Sequence, residues 1–307
     1  MMILKKWITA LLGAALMVTM LAGCGQDGAN ADKAQSGEKL QVAVSFDAVG
    51  EFVKAVGKDK VTVKTIIPAG TEPHEFEPTT KSLKDMAGAK VFVYNGLGME
   101  SWKDKAVEAA GNDKLIQVDA SKGVQPIVNE DEEEIKEHGQ YDPHCWLSLS
   151  CAQIEVRNIA DGLIQADPKN KDFYEKNAQE YMAQLKALQD EYVGKFQHVQ
   201  KKQFVTGHAA FAYLCRDFGL EQNSVEDVFA AGEPSSQQLA ELTDYCRRNQ
   251  VTTIFAEDMV SPAVSETLAK EVGAKVEPIE TMESNEKGES YLDRMKENLE
   301  KIYTSLK

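Results

Sequence analysis

An α/β fold of two lobes, with mainly parallel sheets joined by one long rigid helix, is what this sequence predicts. Three observations carry it. Strand-like and helical runs alternate over residues 40–119 and again over 203–306. A long helical period, with Phe173, Ala178, Tyr181, Met182, Leu185 and Leu188 on its apolar face, separates the two blocks. Runs such as KVFVYN are mostly apolar on both alternating faces, as in strands covered on both sides. Alternation of this kind builds parallel sheets with crossover helices. The lobes are expected at 40–168 and 201–307, with the linking helix within 169–200.

Each element has a local reason. LQVAVSF (40–46) reads as a strand and 48–56 as a helix. VTVKTII (61–67) is a strand ended by Pro68-Ala69-Gly70. A helix over 81–87 leads to the strand 90–95, which Gly96 and Gly98 break. A helix over 100–110 and a strand over 115–119 follow. NEDEEEIKEHGQYDPH (129–144) is acidic and turn-rich, an exposed loop. A helix over 152–166 stops at Asp167-Pro168, and the linking helix covers 172–195. In the second block, QFVT (203–206) is a strand, and His208 is expected to open a helix that Gly219 stops. Ser235 with Gln238 forms a capping-box pattern for a helix over 236–249. A strand over 252–257 precedes a helix begun by Ser261-Pro262 and ended by Gly273. The strand 275–280 and the helix 290–306 close the chain.

The N-terminus reads as an export signal. Lys5 and Lys6 precede a mostly apolar stretch, 7–21, that is too short for a spanning helix. It ends in Leu21-Ala22-Gly23-Cys24, which resembles the lipobox of bacterial lipoproteins, with Cys24 as the acylated residue. Residues 1–23 are then removed, and 24–39 form a flexible polar tether. Their removal takes away two lysines and no acid, so the formal charge moves from −15 to −17. A chain this acidic repels phosphate backbones, which argues against nucleic acid as a partner. Four cysteines remain: Cys145, Cys151, Cys215 and Cys246. Export permits disulfides, and Cys215 and Cys246 lie on neighbouring helices where they could pair. Cys145 is read as a small buried residue, with sulfur ligation as the alternative.

The chemistry rests on His74, His144, His208 and Glu280. The chain has only five histidines. Imidazoles plus one carboxylate suit Zn²⁺, which takes four such donors tetrahedrally. The spacings of about 70 residues exclude any motif on one helix, so the fold must gather the ligands. His208 and Glu280 stand at the carboxyl ends of their strands, and His74 follows one by a short loop. These are the positions where open α/β sheets bind ligands. Glu72, Glu75, Glu100, Asp142 and Glu257 are the candidates for orienting the rings.

PAGTEPHEFEPTTKSLKDMAGAKVFVYNGLGMESW around His74, YDPHCWLS around His144, FVTGHAAFAYLCRDFGL around His208 and VEPIETM around Glu280 together resemble the metal-ion solute-binding proteins of bacterial ABC transporters, zinc-uptake receptors in particular. The likeness covers nearly the whole mature chain. It implies a metal site in the interlobe cleft, with His74, His144, His208 and Glu280 as ligands. It also implies a monomeric, non-enzymatic, extracytoplasmic receptor, lipid-anchored to the bacterial membrane through Cys24, that hands Zn²⁺ to an ABC permease. Manganese receptors of the family usually carry a carboxylate where this chain has His208, and three imidazoles favour zinc over the harder Mn²⁺. Two departures stand out. The acidic loop holds only His138 where zinc receptors often carry many histidines, and Cys145 and Cys151 flank His144. The competing readings are a manganese or iron receptor of the same family, a zinc hydrolase, for which no local catalytic motif is present, and a surface adhesin.

Overall fold

A computed structural model describes residues 38–129, 135, 139–228, 234–257, 262–285 and 288–307. The export signal, Cys24, most of the tether, half of the acidic loop, His138 and the Ser261 cap lie outside them. Residues 37–307 form one compact unit.

The first block builds β1 (Leu40–Val44), α1 (Asp47–Gly57), β2 (Val61–Thr65), α2 (Thr80–Ala87), β3 (Val91–Tyr94), α3 (Lys103–Ala110) and β4 (Ile116–Asp119). The four strands form a parallel sheet of order β2-β1-β3-β4, with Leu40 beside Val61, Val42 beside Val91, and Val91 beside Ile116. β1 and β3 are central and almost wholly buried, as their mostly apolar runs require. The Thr79 side chain caps α2, with Ser82 completing a reciprocal pair of bonds.

Two long helices follow: α4 (Leu149–Ala166), capped by the Ser148 side chain, and α5 (Lys171–Phe196). The 26 residues of α5 span about 39 Å at 1.5 Å per residue. It packs along α4 and α1 and against the C-terminal helix.

The second block builds β5 (Gln203–Thr206), α6 (Ala212–Phe218), β6 (Glu221–Ser224), α7 (Ser236–Arg248), β7 (Thr253–Glu257), α8 (Pro262–Val272), β8 (Lys275–Ile279) and α9 (Tyr291–Ser305). Its sheet is parallel with order β6-β5-β7-β8, the same order as the first. The Ser235–Gln238 capping box is present as expected. Two elements differ from expectation. β6 is a polar edge strand, EQNS, with no apolar alternation to announce it. α6 starts at Ala212, so His208 sits in a loop ahead of the helix.

The larger apolar core runs through both sheets, joining Val42 and Phe92 to Phe204, Phe255 and Ile279. Trp146 and Tyr291 lie at its waist. Trp146 meets Phe46 at 4.7 Å between ring centroids, and Tyr291 meets Phe52 at the same separation. The Trp146 indole N–H donates to the Thr281 carbonyl at 2.7 Å, and the Tyr291 hydroxyl donates to the Trp146 carbonyl at 2.5 Å. A separate, smaller core of Val205, Leu242, Ile254 and Leu268 lies under α7 and α8. Cys215 and Cys246 are both buried free thiols and do not pair; burial pushes each thiol's pKa upward.

Candidate metal centre

His74 reaches the site on the loop after β2. That loop turns at Pro68–Thr71, where Thr71 N–H donates to the Pro68 carbonyl and Gly70 takes φ +75°. The Glu72 carboxylate accepts the His74 backbone N–H at 2.9 Å. His144 is held more tightly. Asp142 Oδ1 accepts both its backbone N–H, at 2.8 Å, and its ring Nδ1–H, at 2.9 Å. The Asn95 side-chain amide fixes the preceding Pro143 carbonyl at 2.9 Å. His208 follows β5 directly. Its carbonyl accepts from the Thr206 hydroxyl and the Gln222 amide, and its N–H donates to Glu257 Oε1 at 3.2 Å. Glu257 ends β7, the neighbour of β5, and Gly207 is glycine because a Cβ there would overlap the Glu257 carboxylate.

These backbones bring three ring nitrogens to one point. His74 Nε2 and His144 Nε2 are 3.2 Å apart, and His208 Nε2 and His144 Nε2 are 3.4 Å apart. The fourth donor is Glu283, with Oε1 4.0 Å from His74 Nε2. One ligand atom from each of His74, His144, His208 and Glu283 falls within 4.8 Å of all the others, and all four side chains are buried. Among the described residues no other His, Cys, Asp or Glu cluster of this kind occurs. A tetrahedral Zn²⁺ with bonds of about 2.0–2.1 Å has ligand–ligand edges of about 3.3–3.4 Å. The two nitrogen–nitrogen separations lie close to that, and the Glu283 oxygen, 4.0 Å from His74 Nε2, stands somewhat farther out.

The orientation of the rings follows from their partners. Asp142 takes the Nδ1 proton of His144, so the hydrogen-bond network assigns a lone pair to its Nε2. Lone pairs this close repel unless a proton or a cation lies between them. His208 Nδ1 lies 3.7 Å from Glu257 Oε1, a looser version of the same arrangement. Burial, then the neighbouring His144, pushes the His208 pKa well below its ordinary 6.5, so the ring stays neutral and able to ligate. Burial, then repulsion from Glu72, pushes Glu283 up to about 8. Glu257 is pushed up to about 8 as well, by burial first. Glu283 Oε2 accepts the Thr281 hydroxyl at 2.6 Å, whereas Oε1 has no hydrogen-bond partner. That orphaned buried oxygen fits a cation beside it.

The sequence points to Glu280 as the fourth ligand; the structure brings Glu283, and not Glu280, into the cluster. The Glu280 carboxylate lies by Arg294, with Oε2 3.7 Å from the guanidinium Nη1. Two residues later Met282 takes φ +62°, a left-handed turn that redirects the chain and delivers Glu283. No pattern in IETME signals that turn. Of the candidate orienting carboxylates, Asp142, Glu257 and Glu72 contact the site. Glu100 instead accepts the Asn95 and Gly96 amides behind it. Cys145 lies outside the four-residue cluster, with its thiol against Glu155 at 2.9 Å.

Known proteins resemble this chain. The family model described as zinc-uptake complex component A, periplasmic, matches residues 42–305. The chain belongs to that family. The high-affinity zinc uptake system protein ZnuA of Bacillus subtilis is 38% identical over 315 residues, with 98% of each chain covered. Among solved structures, the laminin-binding protein Lmb of Streptococcus agalactiae, described as a bifunctional protein with adhesin and metal transporting activity, superposes with TM-score 0.79 at 34% identity, covering 87% of this chain and 100% of its own. Zn(II)-bound AdcA of Streptococcus pneumoniae superposes with TM-score 0.74 at 35% identity, covering 87% of this chain and 58% of the other.

Proposed function

We propose that this protein is an extracytoplasmic receptor that captures one Zn²⁺ ion between His74, His144, His208 and Glu283 and delivers it to an ABC permease. The observation that carries the reading is the meeting of three imidazole Nε2 atoms with an unpartnered carboxylate oxygen. Four protein donors fill a tetrahedral shell and leave no position for a reacting water, which supports holding the ion over hydrolysis. Nitrogen donors favour zinc over manganese. The lipobox-like Leu21-Ala22-Gly23-Cys24 supports anchoring through Cys24 at the outer face of the membrane. No helix among the described residues is long and apolar enough to cross a membrane.

Metal analysis of the protein purified from its own cells tests this: one zinc per chain is expected, and manganese as the dominant ion would overturn the choice of metal. Growth of a deletion strain in zinc-depleted medium should fail and be restored by zinc. The similarity to Lmb supports adhesion as a second role, for which binding to laminin-coated surfaces by wild type and not by a Cys24→Ala strain is the test.

A further inference from the structure

The turn that carries Glu283 belongs to the second block of the chain but is gripped from several sides. Arg294, on the first turns of α9, is the centre of that grip. Its side chain is only 1% exposed. One guanidinium nitrogen donates to Asp47 Oδ2 at 2.5 Å. Another donates to the Ser284 carbonyl at 2.8 Å and lies 3.7 Å from Glu280 Oε2. Asp47 opens α1 in the first lobe, and its backbone N–H donates to the Glu283 carbonyl at 3.3 Å. Arg294 and Asp47 thus hold two successive carbonyls, those of Glu283 and Ser284, and are bonded to each other. The ring closes on the histidine side too: Ser284 Oγ accepts the Gly70 N–H, in the turn that leads to His74, at 3.0 Å.

We infer that Arg294 is a positioning residue for ion capture: by bonding Asp47 and the Ser284 carbonyl together, it locks the 281–284 turn so that Glu283, and not Glu280, completes the three-histidine site. The inference rests on the proposed four-residue site. Arg294 occupies Glu280 with its own charge and braces the left-handed turn at Met282. A lysine keeps the charge but cannot span an aspartate and a carbonyl with a planar fork. Without the fork the turn is free to relax, and the carboxylate arrives at the ion with no fixed direction. The same grip ties the fourth ligand to Asp47 and Gly70 of the first lobe.

The test is a double-mutant cycle on zinc affinity in the full chain, read by competition with a chelator: wild type, Arg294→Lys, Glu283→Gln and the double variant. Changes in residues that support metal ligands typically cost about 10–100-fold in affinity. Arg294→Lys should weaken binding by that factor in the wild type and by less than about twofold in the Glu283→Gln background, because its effect passes through Glu283. Equal losses in both backgrounds, or no loss in either, would overturn the inference. Should Arg294→Lys not fold, Asp47→Asn serves in its place: it keeps an acceptor for the guanidinium and removes the charge, and its loss of affinity must likewise vanish in the Glu283→Gln background. Unchanged affinity in Glu283→Gln alone would overturn the site itself, which is a separate failure.

Discussion

The Glu283 carboxyl divides its oxygens between two tasks, one accepting the Thr281 hydroxyl at 2.6 Å and the other facing His74. Glu280, three residues earlier, spends its charge on Arg294. Glu283→Gln should therefore weaken zinc binding by at least about tenfold, whereas Glu280→Gln should change it by no more than about threefold. The second change should instead cost about 1–3 kcal/mol of stability in denaturant titration, since Arg294 loses part of its charge compensation. Equal affinity losses would put both carboxylates at the ion. Acidity gives a further check. With Glu283 pushed up to about 8, it is protonated in the ion-free protein at neutral pH, and a cation displaces that proton. Zinc binding at pH 7 should release about one proton, measured by calorimetry in buffers of different ionisation enthalpy, and the release should fade above about pH 9. His208, already neutral, contributes none. The three histidines were legible in the sequence because each follows a strand or a Pro-bearing turn. The carboxylate was not, because IETME offers two glutamates and only the φ +62° at Met282 decides between them.

At the scale of the elements, close approach decides more than propensity does. Gly162 lies in the middle of α4, where alanine is intrinsically better by about 1 kcal/mol. A Cβ there would collide with the Val118 side chain at the end of β4. Overpacking costs about 1–3 kcal/mol, so it outweighs the gain. Gly162→Ala should lower stability by about 1–2 kcal/mol in chemical denaturation; a stabilised variant would show that β4 yields easily. The elements with an apolar period were readable in order. β1, β3 and α5 announce themselves through Val, Phe and Leu at the right intervals. β6 did not, because an edge strand needs no apolar face of its own and EQNS pairs with β5 on one side only. α6 begins late because the His208 carbonyl is taken by Thr206 and Gln222 rather than by a helical turn. The possible pairing of Cys215 with Cys246 failed for a related reason: one thiol belongs to the larger core and the other to the smaller.

For the whole molecule, four buried carboxyls set the response to pH. Burial is the leading cause for each, raising Glu100 to about 7 and Glu155, Glu257 and Glu283 to about 8. A carboxyl with a higher pKa folded than unfolded supports the fold fully below its ordinary value, near 4.5, and that support is lost as pH rises through the folded value. His208 acts in the opposite sense, its contribution being lost as pH falls below 6.5 toward its depressed value. Four groups against one predict that the ion-free protein melts at a lower temperature at pH 8.5 than at pH 5.5, by scanning calorimetry. Zinc at a thousand times its Kd at pH 5.5 should add about 4 kcal/mol, and the same free zinc concentration should add more at pH 8.5, where Glu283 is already ionised. A melting temperature independent of pH would mean that the carboxyls are wet. The two-lobe plan was legible because alternation is a long-range pattern repeated twice, whereas the shared core was not, since no local run of residues records which distant side chains meet at Trp146. That shared core has a consequence for how cargo leaves. Prising the halves apart like a clamshell would expose the Trp146, Phe46, Tyr291 and Phe52 aromatic stack to solvent, at roughly 25 cal/mol for every Å² wetted. Loosening the His208 loop alone, backed by the smaller core under α7 and α8, would leave that stack dry.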